Sequence, residues 1–317
     1  MRAGELLARG GPLIGLILVS ALFGGLVGPQ FFSPANLELI ARQTAIVGTA
    51  ALGMTLVIAA AGIDLSVGSV ISLTTVVVAL VLRKAISPAG AAAMGIAAAA
   101  ACGLVTGLLV TGLRVVPFIV TLGMMLLVRG AAKGLADERR IEAPVTWLND
   151  LLRSHALGGG LLLPSGIWIL LGMALVVAGV LRYTRFGRHV LAIGSNERTA
   201  RLCGVRVEAN KIAIYTISAA LAGLAGVMQF AKLSVGDPTV AVGLELDVIA
   251  AVIIGGGSLL GGRGTVFGTL VGAVLMTVIQ IGCSQRGFPN WVQQIVTGAV
   301  IVAAVALDRW RQGSSAT

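Results

Sequence analysis

The sequence predicts an all-α integral membrane protein with about ten transmembrane helices, arranged as one transmembrane domain over residues 1–317. Hydrophobic residues make up 57% of the chain, charged residues make up 11%, and the mean hydropathy is +0.98. This composition leaves too little polar surface to coat a soluble globule. The apolar stretches approach the roughly 20 residues that a helix needs to cross the membrane, and the short alternating strands of a membrane barrel are absent from the sequence.

Charged and turn residues divide the apolar sequence into ten predicted spans. The 44 glycines are scattered through these spans, as expected where helix backbones approach closely in lipid. The predicted spans are 12–32, 44–61, 66–83, 89–112, 116–135, 160–181, 211–231, 246–259, 264–283 and 291–308.

The strongly basic stretch at residues 182–211 contains seven of the 23 Lys and Arg. With the N-terminus inside, the segments on this side of the membrane carry 13 of the 23 basic and five of the 13 acidic residues. The positive-inside rule then predicts that this stretch and both termini are cytoplasmic. Because the basic residues lie in short loops between spans, the net charge of +10 reflects topology, and we expect no nucleic-acid partner.

Two stretches of the chain are weakly alike. Gly103-x-x-x-Gly107 is followed by a Pro-Phe segment at 116–121, and Gly268-x-x-x-Gly272 is followed by a Phe-Pro segment at 288–292. Five spans separate them, so the second copy would be inverted relative to the first. The pattern therefore predicts an inverted five-plus-five repeat, which is typical of transporters that alternate access to a site near the membrane midplane.

The motif GIDLSVGS at 62–69 interrupts an apolar stretch that runs from residue 45 to residue 82. An ionisable group in or near the membrane is costly and indicates a functional site, which makes Asp64, Ser66 and Ser69 candidate residues. Asp64 is also a suitable N-cap for the span that follows. The two interpretations are compatible.

Glu245 and Asp247 lie at the start of the predicted span 246–259, on the outer side of the membrane. The glycine-rich stretch at 255–264 then interrupts this part of the chain. Such a break indicates a tight turn or a discontinuous helix that lines a cavity. It is not a phosphate-binding loop, because no Lys-Ser or Lys-Thr follows a glycine, so we expect no ATPase site in this chain.

A short helix is predicted within the basic stretch, at residues 197–203. Ser195 or Asn196 is suited to cap its start, and Gly204 is suited to end it. A short capped helix in a cytoplasmic loop is typical of a docking element.

We expect Ala200 and Cys203 to share a small, apolar, exposed face of this helix, with Arg198 and Arg201 on another face. This arrangement favours docking of a soluble partner protein. The alternative is an interfacial helix that arginine holds to anionic lipid.

The outer loop at 136–159 is the longest polar insertion on its side, and its WLNDLL core predicts a short interfacial helix anchored by Trp147. Either it lines the mouth of a pathway or it is a structural loop. Covalent catalysis is not predicted, because His155 and His189 lie in loops on opposite sides and no hydrolase or zinc motif is present. The three cysteines are far apart, so we expect no disulfide and no metal site.

Taken in order, four motifs resemble the permease subunits of ribose-type sugar ABC importers. The resemblance extends over nearly the whole chain. The motifs are GIDLSVGS at 62–69, PFIVTLG at 117–123, TRFGRHVLAIGSNERTARLCGV at 184–205 with KIAIYTISAALAGLAG at 211–226, and ELDVIAAVIIGGGSLLGGRGTVFGTLVGA at 245–273.

This resemblance implies a ten-helix permease in the bacterial inner membrane that pairs as a homodimer or a paralogous heterodimer. It implies a cytoplasmic ABC ATPase with two nucleotide-binding domains, and a periplasmic or lipid-tethered binding protein that delivers the sugar. ATP and Mg²⁺ would be bound by the ATPase, so no cofactor is expected in this chain. The permease itself would perform no covalent chemistry.

The resemblance also assigns roles to residues. Within the loop at 182–211, the ATPase-coupling segment would be Asn196, Glu197, Arg198, Thr199, Ala200, Arg201, Leu202, Cys203 and Gly204. The translocation path or gate would be near Asp64, Ser66, Ser69, Glu245 and Asp247. The chain departs from the family pattern at Cys203, where Ser or Ala is more usual, and in the unusually charged loop at 136–159.

Two other classes of function stay open at this stage. In an ion- or proton-coupled secondary transporter, Asp64 and Glu245 would carry protons and no ATPase would be needed. The second alternative is a membrane scaffold or receptor that transports nothing. The identity of the sugar is not determined by these motifs.

Overall fold

The computed structural model describes residues 3–153 and 163–313, with side chains described for 11–153 and 163–306. The α-helices in these residues are α1 (Ala3–Val27), α2 (Pro34–Ala59), α3 (Val67–Arg83), α4 (Pro88–Leu113), α5 (Pro117–Leu135), α6 (Ser165–Tyr183), α7 (Arg185–Ser195), α8 (Glu197–Leu202), α9 (Val207–Leu233), α10 (Leu244–Ile254), α11 (Val266–Gln285) and α12 (Asn290–Gly313). Two 3-10 helices, Pro29–Phe32 and Trp147–Asp150, and two short strands, β1 (Ile141–Glu142) and β2 (Val235–Gly236), complete the described elements.

The prediction of an all-α membrane protein is confirmed. Each of the ten predicted spans corresponds to a helix, namely α1 to α6 and α9 to α12, whereas α7 and α8 lie in the basic loop. Six of these helices (α2, α4, α5, α6, α9 and α11) are long and apolar enough to cross a membrane. Shorter apolar stretches at Gly11–Val27, Val67–Arg83 and Asn290–Ala306 belong to α1, α3 and α12.

Helix packing repeats between the two halves of the chain. In the first half, α4 packs against α9, and α3 contacts α9, α4 and α5. The second half repeats these contacts: α11 packs against α2, and α10 contacts α2, α11 and α12. These relations pair α2 with α9, α3 with α10, α4 with α11 and α5 with α12. Because each helix of the second copy comes five membrane helices after its counterpart, an odd number, its direction through the membrane is reversed, as the predicted inverted repeat requires.

The GxxxG pairs lie on the corresponding helices α4 and α11, but they face neighbours that are not equivalent. Gly103 and Gly107 bring α4 against the backbone of α9, whereas Gly268 and Gly272 bring α11 against backbone carbonyls at the end of α10. In both places a methyl group would collide with backbone, so the close helix approach requires glycine.

The bundle has two distinguishable ends, which we name the α8 end and the β end. Helix α9 starts beside α8 and finishes next to β2, which pairs with β1 in an antiparallel two-stranded ladder with Ile141 opposite Gly236. This ladder was not predicted. The short helix expected around Trp147 is present as a 3-10 helix at the β end, whereas His155 lies outside the described residues.

Candidate translocation site and coupling segment

Helix α10 is too short to cross the membrane. Its 11 residues extend for about 16 Å, roughly half of the hydrocarbon thickness. The loop that follows it lies at the α8 end, because the Gly262 N–H donates to the Ala59 carbonyl at 2.9 Å and Gly261 packs against Gly194 of α7. The first turn of α10 therefore lies inside the bundle. The expectation that Glu245 and Asp247 begin a full span at the outer surface is wrong for this reason.

The segment before α10, residues 234–243, runs inward from the β end along α3. Gly236 lies beside Ala79 near the end of α3, and Ala241 lies against Gly68 in its first turn. These two contacts are eleven residues apart on α3, which corresponds to about 16 Å along the helix axis. The segment thus carries non-helical backbone from the β end towards the middle of the membrane.

Residues 60–66 form the corresponding inward segment from the α8 end. The Gly62 N–H donates to the Val57 carbonyl at 2.9 Å, which turns the chain back along α2, and the Thr121 hydroxyl of α5 donates to the Ile63 carbonyl at 3.1 Å. Helix α3 then begins at Val67. Both α3 and α10 therefore start inside the bundle.

The first turns of α3 and α10 meet at Gly68. A side chain there would collide with the Ala241 carbonyl and with the carboxylate of Glu245. Two discontinuous helices whose N-termini converge inside a membrane bundle direct partial positive charge to one place. The convergence occurs where the sequence predicts a path or gate.

Asp64 is buried, with 1% of its surface exposed. Its Oδ1 accepts hydrogen bonds from the Ser66 N–H at 2.9 Å and from the Ser66 hydroxyl at 2.6 Å. Asp64 was expected to cap the following span, but the N-cap of α3 is Ser66 itself, and the carboxylate stabilises the turn that precedes it. The Asp64 carboxylate therefore lies in the turn before α3, two residues before the N-cap Ser66.

Ser69 and Glu245 contribute buried polar atoms without partners. Among the described residues, the Ser69 hydroxyl and Glu245 Oε2 have no hydrogen-bond partner, while Glu245 Oε1 accepts from the Gly243 N–H at 3.2 Å. An unpaired buried polar atom costs about 1–3 kcal/mol. This site therefore favours a water molecule or a ligand hydroxyl group beside α3 and α10.

Asp247 faces α11 and is also buried. Its Oδ2 accepts a hydrogen bond from Gln280 Nε2 at 2.5 Å. Gln280 was not predicted, because it lies in an apolar stretch without a recognisable motif. The predicted path residues Asp64, Ser66, Ser69 and Glu245 lie around the starts of α3 and α10, whereas Asp247 connects α10 to α11.

Arg129 holds the segment at 234–243 against α5. Its Nη1 donates to the carbonyl of Val240 at 2.6 Å and to that of Pro238 at 3.2 Å. Sequence reasoning missed this residue, although a basic side chain inside the predicted span 116–135 was a usable signal. The guanidinium satisfies two carbonyls that no helix or sheet satisfies.

Asp237 forms a second turn of the Asp64 type. Its Oδ1 accepts from the Thr239 N–H at 2.8 Å and from the Thr239 hydroxyl at 2.6 Å, and its Oδ2 pairs with Arg140 at 2.7 Å. The sequence contained a signal, because Asp-x-Thr here repeats the Asp-x-Ser of residues 64–66. The repeat was inferred from the GxxxG stretches of α4 and α11 instead, so the correspondence between Asp64 and Asp237 was missed.

At the α8 end, the short helix that was predicted at residues 197–203 is present as α8. The Asn196 side chain caps α8 by accepting from the Thr199 N–H at 2.9 Å, and Gly204 ends the turn with φ +83°. Helix α7 precedes it and was not predicted. Its buried Val190 and Ile193 face the bundle.

The exposed face of α8 differs from the expected one. Ala200 is only 5% exposed and packs with Ile193 and Val207, so it does not share the outer face with Cys203. Leu202 projects outward instead, with 88% of its surface exposed. An outward leucine on a short capped helix forms an apolar knob.

Two acidic side chains connect α8 to the first turns of α9. Glu197 pairs with Lys211 at 2.7 Å, and Arg201 pairs with Glu208 at 2.5 Å and more distantly with Glu197 at 3.6 Å. The hydrogen bond that Arg201 donates to Glu208, together with the charge of that carboxylate, raises the pKa of the Arg201 guanidinium. These ion pairs connect α8 to α9 across exposed side chains.

Two adjoining cavities connect α8 to the segment at 60–66. The outer one, of about 850 Å³, lies between the α4–α5 turn and α8. The inner one, of about 110 Å³, shares Pro117, Glu197 and Lys211 with it and extends to Gly62 and Tyr215. A displacement of α8 would therefore act directly on the walls of a cavity that reaches the start of the inward segment.

Comparison with known proteins finds relatives along nearly the whole chain. The E. coli K12 protein "Ribose import permease protein RbsC" is 40% identical over 300 residues, covering 95% of this chain and 93% of the relative. "Ribose import permease protein RbsC" of Bacillus subtilis strain 168 is 37% identical (94% and 92% covered), and "Fructose import permease protein FrcC" of Rhizobium meliloti is 35% identical (94% and 84% covered). No solved structure matches the chain.

A family model described as "Branched-chain amino acid transport system / permease component" matches residues 36–305. The match covers every helix from α3 to α11 and most of α2 and α12. Together with the full-length relatives, it confirms the resemblance that four motifs indicated. The chain therefore belongs to this family of multi-pass membrane permease components.

Proposed function

We propose that this protein is the membrane-spanning subunit of an ATP-driven ABC importer for a monosaccharide or a related small polyol. The observation that carries the proposal is the similarity, over nearly the full length of each chain, to permeases named for ribose, fructose and L-arabinose. The similarity extends over the residues of the candidate path at the starts of α3 and α10 and over α8. The permease would provide the path and the coupling, and a separate ATPase would bind ATP and Mg²⁺.

The polar groups at the start of α3 and α10 support a hydroxylated substrate. The Ser69 hydroxyl and the free oxygen of Glu245 suit the hydroxyl groups of a sugar. A free amino acid would bring a carboxylate next to Glu245, where only the partial charges of the helix N-termini would oppose the repulsion, because the nearby Arg129 is already engaged by two backbone carbonyls. The polar groups at this site therefore favour a sugar over the amino acids named in the family description.

The segment from Asn196 to Gly204 would be the site of ATPase docking, on the cytoplasmic side of the bacterial inner membrane, with both termini on that side. In this proposal the ATPase has two nucleotide-binding domains, a binding protein delivers the sugar to the opposite face, and two permease copies act together. Leu202 supplies the apolar contact, and the ion pairs to α9 transmit the movement.

Copurification of the tagged chain with the products of neighbouring genes, followed by reconstitution, tests the proposal. The expected result is a double-domain ATPase whose hydrolysis is stimulated by a sugar-loaded binding protein and drives uptake. A chain that takes up substrate with a proton gradient and without any ATPase would support the secondary-transporter alternative instead. A reconstituted assembly that moves no substrate would support a scaffold or receptor.

A further inference from the structure

The outer cavity, the larger of the two beside α8, has walls with an excess of positive charge. Four basic and two acidic side chains line this space of about 850 Å³, a volume typical of small-molecule sites. They are Arg114, Arg198, Arg201, Lys211, Glu197 and Glu208. Leu202, where ATPase docking is proposed, does not line it, so the cavity is separate from that contact.

Two of the four cations have no acidic partner. Arg201 and Lys211 pair with acidic side chains of α8 and α9, whereas Arg114 and Arg198 form no ion pair with any residue that the structure describes. A guanidinium group presents parallel N–H donors that match the oxygens of a phosphate group. Two unpaired arginines in one cavity therefore suit a phosphate.

The backbone of Arg114 is unusual for a residue with a side chain. Arg114 ends α4 in the left-handed conformation, with φ +54°, and lies in the α4–α5 turn that borders the outer cavity. Glycine or asparagine adopts this conformation more readily than arginine does. A charged residue held in a costly conformation indicates a use for its side chain.

The inner cavity, of about 110 Å³, contributes a buried hydroxyl group. Tyr215 lines it and is 3% exposed, and its hydroxyl has no hydrogen-bond partner among the described residues. This hydroxyl lies at the wall formed by Gly62, where a side chain would collide with it. Because buried polar atoms are almost always hydrogen-bonded, the inner cavity favours an occupant with hydroxyl groups. Glu197 and Lys211 line both cavities and mark the connection between them.

We infer that the two cavities together bind a phosphate ester of a small polyhydroxy compound, with the phosphate at Arg114 and Arg198 and a hydroxyl group at Tyr215. This binding site goes beyond the proposed function and does not depend on it. Each observation accounts for one part of the ligand: the unpaired arginines for the phosphate, and the unpaired phenol for the hydroxylated part.

Two sources share this chemistry, a soluble phosphate ester and the phosphoglycerol headgroup of an anionic phospholipid. The soluble source reaches the cavity from the aqueous phase at the α8 end. The lipid source reaches it along the apolar residues of the α4–α5 turn, since Leu113 is 61% exposed and Val116, which lines the cavity, is 63% exposed. Glycerol 3-phosphate and phosphatidylglycerol are therefore the two probes.

Equilibrium dialysis of the purified chain in an uncharged detergent tests the soluble source. If the ester is the ligand, the chain binds glycerol 3-phosphate but not glycerol, and Arg114→Asn weakens binding by about tenfold or more. Asparagine accepts the left-handed conformation, so this variant removes the charge and keeps the turn. Arg188→Gln is the matched control, because Arg188 is exposed on α7 and lines neither cavity.

The Tyr215→Phe variant tests whether the ligand extends into the inner cavity. It should weaken binding of glycerol 3-phosphate severalfold and leave binding of inorganic phosphate unchanged, because inorganic phosphate has no carbon chain to reach the phenol. Ester binding that Tyr215→Phe leaves unchanged overturns the placement of the ligand across both cavities.

Nanodiscs of phosphatidylglycerol and of phosphatidylcholine test the lipid source. If the headgroup is the ligand, native mass spectrometry finds phosphatidylglycerol retained by the wild type and by Arg188→Gln, and lost from Arg114→Asn, while phosphatidylcholine is not retained. Either probe bound in this Arg114-dependent way supports the inference and identifies the source. Binding of neither probe, or equal binding by Arg114→Asn and Arg188→Gln, overturns it. The proposed function is unaffected by either result, because neither an ATPase nor transport is measured.

Discussion

Asp64 and Asp237 form the same turn in the two inverted halves of the chain. Each carboxylate accepts from the backbone N–H two residues later, at 2.9 Å for Asp64 and 2.8 Å for Asp237, and each accepts from the hydroxyl of that same residue at 2.6 Å. Each turn precedes a helix that starts inside the membrane. The structural repeat therefore includes the two segments that border the candidate path.

The two turns differ in how their charges are compensated. Asp237 pairs with Arg140 at the β end, whereas no basic side chain in the described residues forms an ion pair with Asp64. Burying a charge without an ionic partner destabilises the folded protein, so folding alone gives no reason to keep it there. Asp64 is therefore the stronger candidate for a role in transport.

We predict that Asp64→Asn leaves folding intact but lowers uptake by tenfold or more. The asparagine Oδ1 accepts the same hydrogen bond from Ser66, so the turn is kept while the charge is lost. Thermal unfolding in detergent and uptake by vesicles at matched protein abundance measure the two effects. Wild-type uptake at wild-type abundance would dismiss a role for the charge.

The companion variant Asp64→Leu separates the turn from the charge. It removes the acceptor for both Ser66 groups, which we expect to destabilise the protein by about 1–3 kcal/mol. Asp64→Asn should keep the melting temperature that Asp64→Leu loses. If the two variants unfold alike, the turn does not depend on this acceptor.

Arg129→Gln should impair uptake and lower stability. The guanidinium satisfies the carbonyls of Pro238 and Val240, and hydrogen bonds to charged groups are each worth about 1.5–3 kcal/mol. Lys133→Gln, on the exposed side of the same helix, is the matched control. Hydrogen exchange of residues 234–243 in the two variants measures the effect. Equal protection in both would show that Arg129 does not hold this segment.

The sequence predicted the helical membrane fold and α8 because both depend on local signals. Apolar length determines a span, and Asn196 with Gly204 determines where a short helix begins and ends. The starts of α3 and α10 inside the bundle were not predictable in this way, because Gly68 and Ala241 are far apart in the chain. Their contact arises from tertiary packing, as does the bond between Gln280 and Asp247.

The burial of Ala200 illustrates the same limit. Helical spacing placed Ala200 and Cys203 on one side of an isolated helix, but it could not say which side α7 and α9 would cover. In the structure, Ile193 and Val207 cover Ala200. The coupling role of residues 196–204 stays a prediction, and the exposed apolar side chain of this helix is Leu202 and not Ala200.

Exchanging the charges of Glu197 and Lys211 tests whether their ion pair transmits movement from α8. Each single reversal, Glu197→Lys or Lys211→Glu, should lower uptake per ATP hydrolysed, and the double reversal should recover most of it. An exposed pair is worth only about 0–1 kcal/mol, so folding should change little. The ratio of uptake to ATPase activity in vesicles is the measurement. A double variant no better than either single one would argue against a role for this pair.

The last prediction concerns the outer face of α8. Leu202→Ala should weaken ATPase binding by about tenfold or more without affecting the fold, because burying a leucine side chain contributes roughly 1.5–3 kcal/mol and each 1.4 kcal/mol is a factor of ten.

Ala200→Leu is the structural counterpart of this variant. It overpacks the contact with Ile193 and Val207, so we expect it to lower thermal stability by about 1–3 kcal/mol. Binding of the purified ATPase to each variant in nanodiscs, together with their melting temperatures, distinguishes the two roles. Leu202→Ala that binds the ATPase like the wild type would place the docking contact elsewhere. Normal stability in Ala200→Leu would show that α8 can move away from α7 and α9, and would remove the rigid connection on which the coupling argument depends.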